Sequence, residues 1–269
     1  MVKLGARGVV VVCKLVTLSI AFALASLPAR AEEAWRELDA DNTLVIETGR
    51  GPIVIELRPE LAPNAVERIK LLARERVYDG LQFHRVIDGF VAQTGNPNNR
   101  DGGGSAHPDL APEFTFAIPP DAIIATTSSD GVSGFVGATP FQGAGKRGWG
   151  AHCAGAVGMG RQDAPNSANS EIYILRAPAR RLDHDYTIVG RVVAGLEIVR
   201  ALPVGEPPAT PEIVRSARIV SDLTAAERPR VQRMDTNTAA FRTLLEQARA
   251  RGQADFTICD MEIPIRITP

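Results

Sequence analysis

Arg85 and Gln93 are the side chains from which chemistry is most readily built. They lie in Phe83-His84-Arg85-Val86-Ile87-Asp88-Gly89-Phe90-Val91-Ala92-Gln93-Thr94-Gly95, where two short runs of β-branched and aromatic residues flank an Asp-Gly pair. Such a pair signals a β-hairpin, because both residues tolerate positive φ. An arginine inside an apolar strand must carry its head group to water or meet a polar partner, and Gln93 on the return strand is the nearest one. A two-residue Asp88-Gly89 turn pairs Arg85 with Ala92 and sends Gln93 to the other face. A three-residue loop of Asp88, Gly89 and Phe90 pairs Arg85 with Gln93 and Ile87 with Val91. The residue pattern alone leaves both registers open. Other groupings are weaker: His152, Cys153, His107, His184 and Cys259 have the spacing of no recurrent zinc site. No phosphate loop or catalytic triad stands out, so neither a metal nor a cofactor is expected.

Phe83 to Gly95 closely resembles the signature hairpin of the cyclophilin-type peptidyl-prolyl cis–trans isomerases. That hairpin reads Phe-His-Arg, two aliphatics, a glycine turn, then Phe-x-x-Gln-x-Gly. In that family the arginine and glutamine line one groove, so the resemblance favours the three-residue loop. It resumes at Asp101 to Ser105, Glu113-Phe114, Gly155 to Gly160, Asn166 to Ile174, Leu182-Asp183 and Tyr186 to Val192, and covers about residues 43–221. The resemblance implies Arg85 as the catalytic group, Phe90, Val91, Tyr173 and Leu182 as an apolar pocket for a proline ring, and Gln93 as a holder of the peptide backbone. Glu171 and Tyr186 fall on the same groove. The rim departs from the family pattern at Val91, Gly160-Arg161, Glu171, Tyr173, Arg181 and Tyr186, which adds charge and puts substrate preference in question.

The chain has 269 residues, a formal net charge of −1 and 45% apolar residues, enough for one domain with an ample core and an extension. Basic residues are mostly Arg and interspersed with acids, so nucleic acid is not an expected partner. At the N-terminus, Lys3 and Arg7 precede an apolar run from Leu15 to Leu27 and an Ala29-Arg30-Ala31 site, which reads as an export signal at 1–31. Lys14 interrupts the apolar stretch, and no second apolar run could cross a bilayer, so no stable membrane span is expected after cleavage. A periplasmic or secreted location follows. Cys13 leaves with the signal, and Cys153 and Cys259 remain as a pair expected to form a disulfide in that compartment.

In chain order, residues 32–42 read as a polar lead-in, and Thr43–Thr48 and Pro52–Arg58 as strands. Pro63 starts a helix running to about Arg76. Residues 117–153 show weak periodicity and read as a surface insertion, ordered by packing of Phe135, Phe141 and Trp149 or acting as a lid. Glu212 to Val220 reads as a closing strand. Residues 222–269 form an extension with a strand near Val231–Met234, an amphipathic helix through Phe241 and Ala248, and an extended end. The resemblance then implies a mainly β fold with α: a closed antiparallel barrel capped by helices, with the α/β extension docked on it. The expected function is isomerisation of X-Pro bonds in exported polypeptides. The alternatives are a peptide-binding module or an envelope scaffold with little turnover. Proline-containing polypeptides are the expected partners.

Overall fold

The computed structural model describes residues 34–100, 103–252 and 256–268; the expected export signal at 1–31 lies outside them. Within the lead-in, Trp35–Glu37 forms a first strand, β1. Thr43–Thr48 (β2) and Gly51–Leu57 (β3) pair antiparallel, with Thr48 opposite Gly51. Strand alternation sorts their side chains onto two faces. Leu44, Ile46, Ile53, Ile55 and Leu57 enter one core, and Val45 and Val54 enter a second on the opposite side. Helix α1 (Pro63–Arg74) has proline at its first position and buries Ala65, Val66, Ile69, Leu72 and Ala73. The Glu113 carboxylate accepts from the Asn64 and Ala65 backbone amides at 3.1 and 2.9 Å, satisfying donors at the helix start and complementing its dipole. The helix ends short of the expected Arg76, which takes a left-handed φ of 59°.

After β4 (Arg85–Val86) and β5 (Val91–Thr94) comes β6 (Phe116–Ala117). Where the sequence predicts an insertion of weak periodicity, the chain forms β7 (Ile123–Ser128), β8 (Gly131–Val136), β9 (Thr139–Ala144) and β10 (Arg147–Gly150). With β6 they make a five-stranded sheet in the order β6-β10-β9-β8-β7. Its pattern is faint because glycine fills strand positions where backbones approach closely. A Cβ at Gly134 would lie 2.0 Å from the Ile123 carbonyl oxygen. Phe135 and Phe141 are fully buried and Trp149 is half-buried against His184.

The main sheet is completed by β11 (Ala156–Met159), β12 (Ile172–Leu175), β13 (Ile188–Ala194) and, after the short helix α2 (Leu196–Arg200), β14 (Ser216–Ile219). Its eight strands run β14-β2-β3-β13-β11-β12-β5-β4 and curl into a half-barrel. The barrel is not closed by a ladder. The expected closing strand is regular only from Ser216, and the seam to β4 is bridged by separate bonds, Phe83 N to Glu212 O and Val214 N to Leu81 O, both 2.9 Å.

The C-terminal stretch supplies β15 (Arg230–Met234), α3 (Ala239–Gly252) and β16 (Ile265–Thr268), and a second three-stranded sheet has the order β1-β15-β16. Val231, Met234, Phe241, Leu245, Ile258 and Ile263 pack with Val45, Val54 and Phe135, so this layer covers one face of the β2-β3 hairpin. Phe241 meets Phe135 edge-on with ring centroids 6.0 Å apart. Glu56 of β3 joins the three sheets: its carboxylate accepts from Arg233 Nε at 2.8 Å and from the Ala138 backbone amide at 2.7 Å. Cys153 is disulfide-bonded to Cys259, with Cα atoms 5.0 Å apart across 106 residues.

Candidate functional site

The three-residue loop is the one the hairpin uses. Arg85 stands opposite Gln93 and Val86 opposite Ala92, Ile87 N donates to Val91 O at 2.8 Å, and Gly89 at the turn has φ 60°. Arg85 and Gln93 therefore share a face, and Arg85 Nη1 donates to Gln93 Oε1 at 3.3 Å. On the other side, Gln93 Nε2 donates to Glu171 Oε2 at 2.9 Å. A guanidinium at the amide oxygen and a carboxylate at the amide nitrogen fix which way this glutamine faces. Glu171 is buried; its other oxygen accepts from Asn96 Nδ2 at 2.9 Å and faces His84 Nε2 at 3.6 Å. Arg85 Nε also donates to Glu206 Oε2 at 3.0 Å, an acid that the sequence pattern did not single out.

All eight residues expected on the groove come together around one pocket of about 390 Å3: Arg85, Phe90, Val91, Gln93, Glu171, Tyr173, Leu182 and Tyr186. Gly160, Arg161 and Gln162 line it as well. The Glu171 carboxylate is spent on Gln93 and Asn96, which gives it the place of a support behind Gln93. Gln93 and Tyr173 sit opposite each other on β5 and β12, and Phe90 comes from the hairpin tip.

Beneath the pocket lies a buried polar chain that the sequence did not disclose. Tyr173 Oη is 2.8 Å from His152 Nε2, His152 Nδ1 is 2.8 Å from Asp183 Oδ1, and Arg180 Nε donates to Asp183 Oδ2 at 2.7 Å. Burial, reinforced by Tyr186 and Asp183 and opposed by Arg161, pushes the Tyr173 phenol well above its usual range. Asp183 feels burial raising its pKa, but bonds from His152 and Arg180 outweigh this and hold it below the usual carboxylate range. An ionised carboxylate can only accept, so the Asp183 contact calls for Nδ1–H on His152, and in that neutral tautomer Nε2 accepts from the Tyr173 hydroxyl. The one sequence signal was Tyr173 itself, one of the positions where the rim departs from the family pattern. Gly158 belongs to the same arrangement, since a Cβ there would lie 2.3 Å from Tyr173 Oη.

The histidines and cysteines weighed as metal ligands have other occupations. His107 bonds Glu75 at 2.8 Å, His184 stacks on Trp149, and Cys153 and Cys259 are bonded to each other. Among the described residues, no group of three or more His, Cys, Asp or Glu side chains is placed to hold a metal ion.

Comparison with known proteins agrees with this geometry. A family model described as cyclophilin type peptidyl-prolyl cis-trans isomerase/CLD matches residues 43–221. A protein of Brucella suis named probable peptidyl-prolyl cis-trans isomerase is 35% identical over 196 residues, 69% of this chain and 83% of its own length. Peptidyl-prolyl cis-trans isomerase B of Bacillus subtilis is 31% identical over 154 residues, 57% of this chain and 85% of its own. The crystal structure of cyclophilin AquaCyp293 from Hirschia baltica matches with a TM-score of 0.78 and 32% identity, covering 87% of this chain and 93% of that one. With an arginine and a glutamine paired across the hairpin above an apolar pocket, the chain belongs to the cyclophilin-type peptidyl-prolyl cis–trans isomerases and is an enzyme of that class.

Proposed function

We propose that the protein isomerises X-Pro bonds in exported polypeptides outside the cytoplasm and so assists their folding, with Arg85 as its catalytic residue. The observation that carries this reading is the Arg85–Gln93 pair at the edge of the pocket. Isomerisation needs no nucleophile, only relief of the partial double bond across a barrier of about 18–20 kcal/mol. A guanidinium directed at the imide nitrogen favours the twisted bond, in which the nitrogen lone pair has left resonance. Gln93, fixed by Glu171, holds the guanidinium in place. Glu206 is half exposed, and an ion pair of that kind contributes about 0–1 kcal/mol, so exchanging it for substrate costs little.

Phe90, Val91, Tyr173, Leu182 and Tyr186 would take the proline ring, leaving the rest of the peptide to turn against it. One charge-assisted hydrogen bond supplies about 1.5–3 kcal/mol, one to two decades of rate at about 1.36 kcal/mol each. The remainder must come from gripping the two sides of the bond differently. Export is supported by the signal-like pattern at 1–31 and by the Cys153–Cys259 bond, which suits an oxidising compartment.

The test is refolding of a proline-limited exported protein, with an Ala-Pro tetrapeptide assay beside it. The chain lacking residues 1–31 should accelerate both, and Arg85→Ala should accelerate neither appreciably. Peptide turnover that survives Arg85→Ala unchanged would overturn the role of Arg85. Turnover without any effect on refolding would overturn the folding role.

A further inference from the structure

Two guanidinium groups stand on the aromatic walls of the pocket and, among the described residues, neither has a carboxylate within ion-pair distance. Arg161 lies over Tyr186 at 4.4 Å from the ring centroid, with Phe114 at 5.8 Å. It is pinned there by backbone oxygens: Asp185 O at 3.2 and 3.1 Å, Gln162 O at 2.8 Å and Asp163 O at 3.1 Å. Arg181 lies over Phe90 at 4.3 Å. Phe90 and Tyr186 both line the pocket, as does Arg161 itself. Among the described residues neither Arg161 nor Arg181 has a salt-bridge partner, whereas Arg85, Arg176 and Arg180 pair with Glu206, Asp88 and Asp183. Two of the acids around the pocket are committed elsewhere: Glu171 to Gln93 and Asn96, Asp183 to His152 and Arg180. Asp163 and Asp185 offer Arg161 only their backbone oxygens.

A guanidinium stacked on a ring is held in place, so less freedom is lost when it meets a carboxylate. The Arg181 fork matches both carboxylate oxygens, whereas Arg161, with four N–H groups given to backbone oxygens, offers its charge and one remaining N–H. An extended peptide advances about 3.3–3.6 Å per residue, so an acidic side chain one or two residues from a proline seated between Phe90 and Tyr186 comes within reach of one guanidinium or the other. The geometry points to a groove that selects X-Pro segments carrying an aspartate or glutamate within two residues of the proline. This rests on the isomerase reading and names its substrate class.

The experiment uses short Ala-Pro peptides that differ only in having Glu, Gln or Lys on either side of the dipeptide. Exchange NMR with the chain lacking residues 1–31 reads isomerisation and binding together. The Glu peptides should be processed about fivefold or more faster than the Lys peptides at low salt. That ratio should fall toward one in the Arg161→Gln, Arg181→Gln double variant. It should do the same for the unaltered protein near 1 M salt, where screening acts within about 3 Å, which decides the matter even if the variant does not fold. Equal rates for all three peptide types would overturn acid selection while leaving the isomerase intact. Tightest binding of the Glu peptides with no isomerisation of any peptide would support acid selection and overturn the isomerase reading.

Discussion

Two clusters of arginine and carboxylate sit on the same curled sheet and do opposite work. At the groove, Arg85 meets Gln93 and Glu206 with its side chain 25% exposed and that of Glu206 53% exposed. At the joint of the three sheets, Arg233 meets Glu56 with side chains 15% and 5% exposed. The bonds are of similar length, 3.0 and 2.8 Å. What differs is access. The groove cluster borders a pocket and can exchange partners, so it can serve a substrate. The joint cluster is closed between the half-barrel, the inserted sheet and the C-terminal layer, so its energy goes into holding them together. His152 and Cys153 mark where the two regions touch: one residue supports the pocket floor and its neighbour tethers the C-terminal layer.

If this division holds, the largest effect belongs to the tether. Replacing Cys153 and Cys259 with Ser should cost about 2–5 kcal/mol, because the bond spans 106 residues and frees the unfolded chain when removed. Thermal or urea unfolding with and without reductant measures it, and an unchanged midpoint would show that the layer is held by packing alone. Next comes Glu56→Ala, expected to cost about 1.5–3 kcal/mol by stranding Arg233 and the Ala138 amide, with kcat/KM for a proline peptide left within twofold. A large loss of activity at unchanged stability would break the comparison. Arg85→Ala should show the reverse: at least a tenfold loss of kcat/KM, about 1.4 kcal/mol in the barrier, with the unfolding midpoint nearly unmoved. Arg85→Lys should also be poor, since an ammonium lacks the planar fork.

The sequence disclosed these two regions unequally, and the reason is range. The groove is announced by thirteen neighbouring residues from Phe83 to Gly95, and hairpin pairing turns that short separation into contact between Arg85 and Gln93. Glu56 is a lone acid in the strand read at Pro52–Arg58, alternating with Ile55 and Leu57. Its burial depends on Ala138 and Arg233, 82 and 177 residues away, whose sheets cover that face. The inserted sheet was obscured because close packing of backbones put glycine where a strand pattern would show a β-branched residue. The lead-in strand Trp35–Glu37 has too few residues to show a period, and it exists because Arg230–Met234 pairs with it. His152 was legible only as a metal ligand candidate, since its partners Asp183 and Tyr173 lie 31 and 21 residues off.

The smallest expected effect tests whether the buried chain under the pocket belongs to the groove or to the joint. Asp183 is held below its ordinary pKa in the folded protein, where bonds from His152 and Arg180 overcome the opposing effect of burial. A carboxylate depressed by folding adds stability that is present above its unfolded pKa, about 3.9, and is lost as pH falls through the lower folded value. The midpoint of the parent should therefore decline below about pH 4. Asp183→Asn should be less stable at pH 7 and lack that part of the decline, so the two curves approach each other in acid. Unfolding midpoints between pH 2.5 and 7 would show this, and parallel curves would mean that Asp183 contributes nothing through its charge. Kinetics then assign the chain to a region. Asn can accept from Nδ1 as Asp does but lacks the charge, so if the chain serves the groove by holding the Tyr173 ring, Asp183→Asn and Tyr173→Phe should both raise KM more than they lower kcat. If both variants lose only stability, the Asp183–His152–Tyr173 chain belongs with Glu56 to the joint, and the boundary between the two regions runs above the pocket floor.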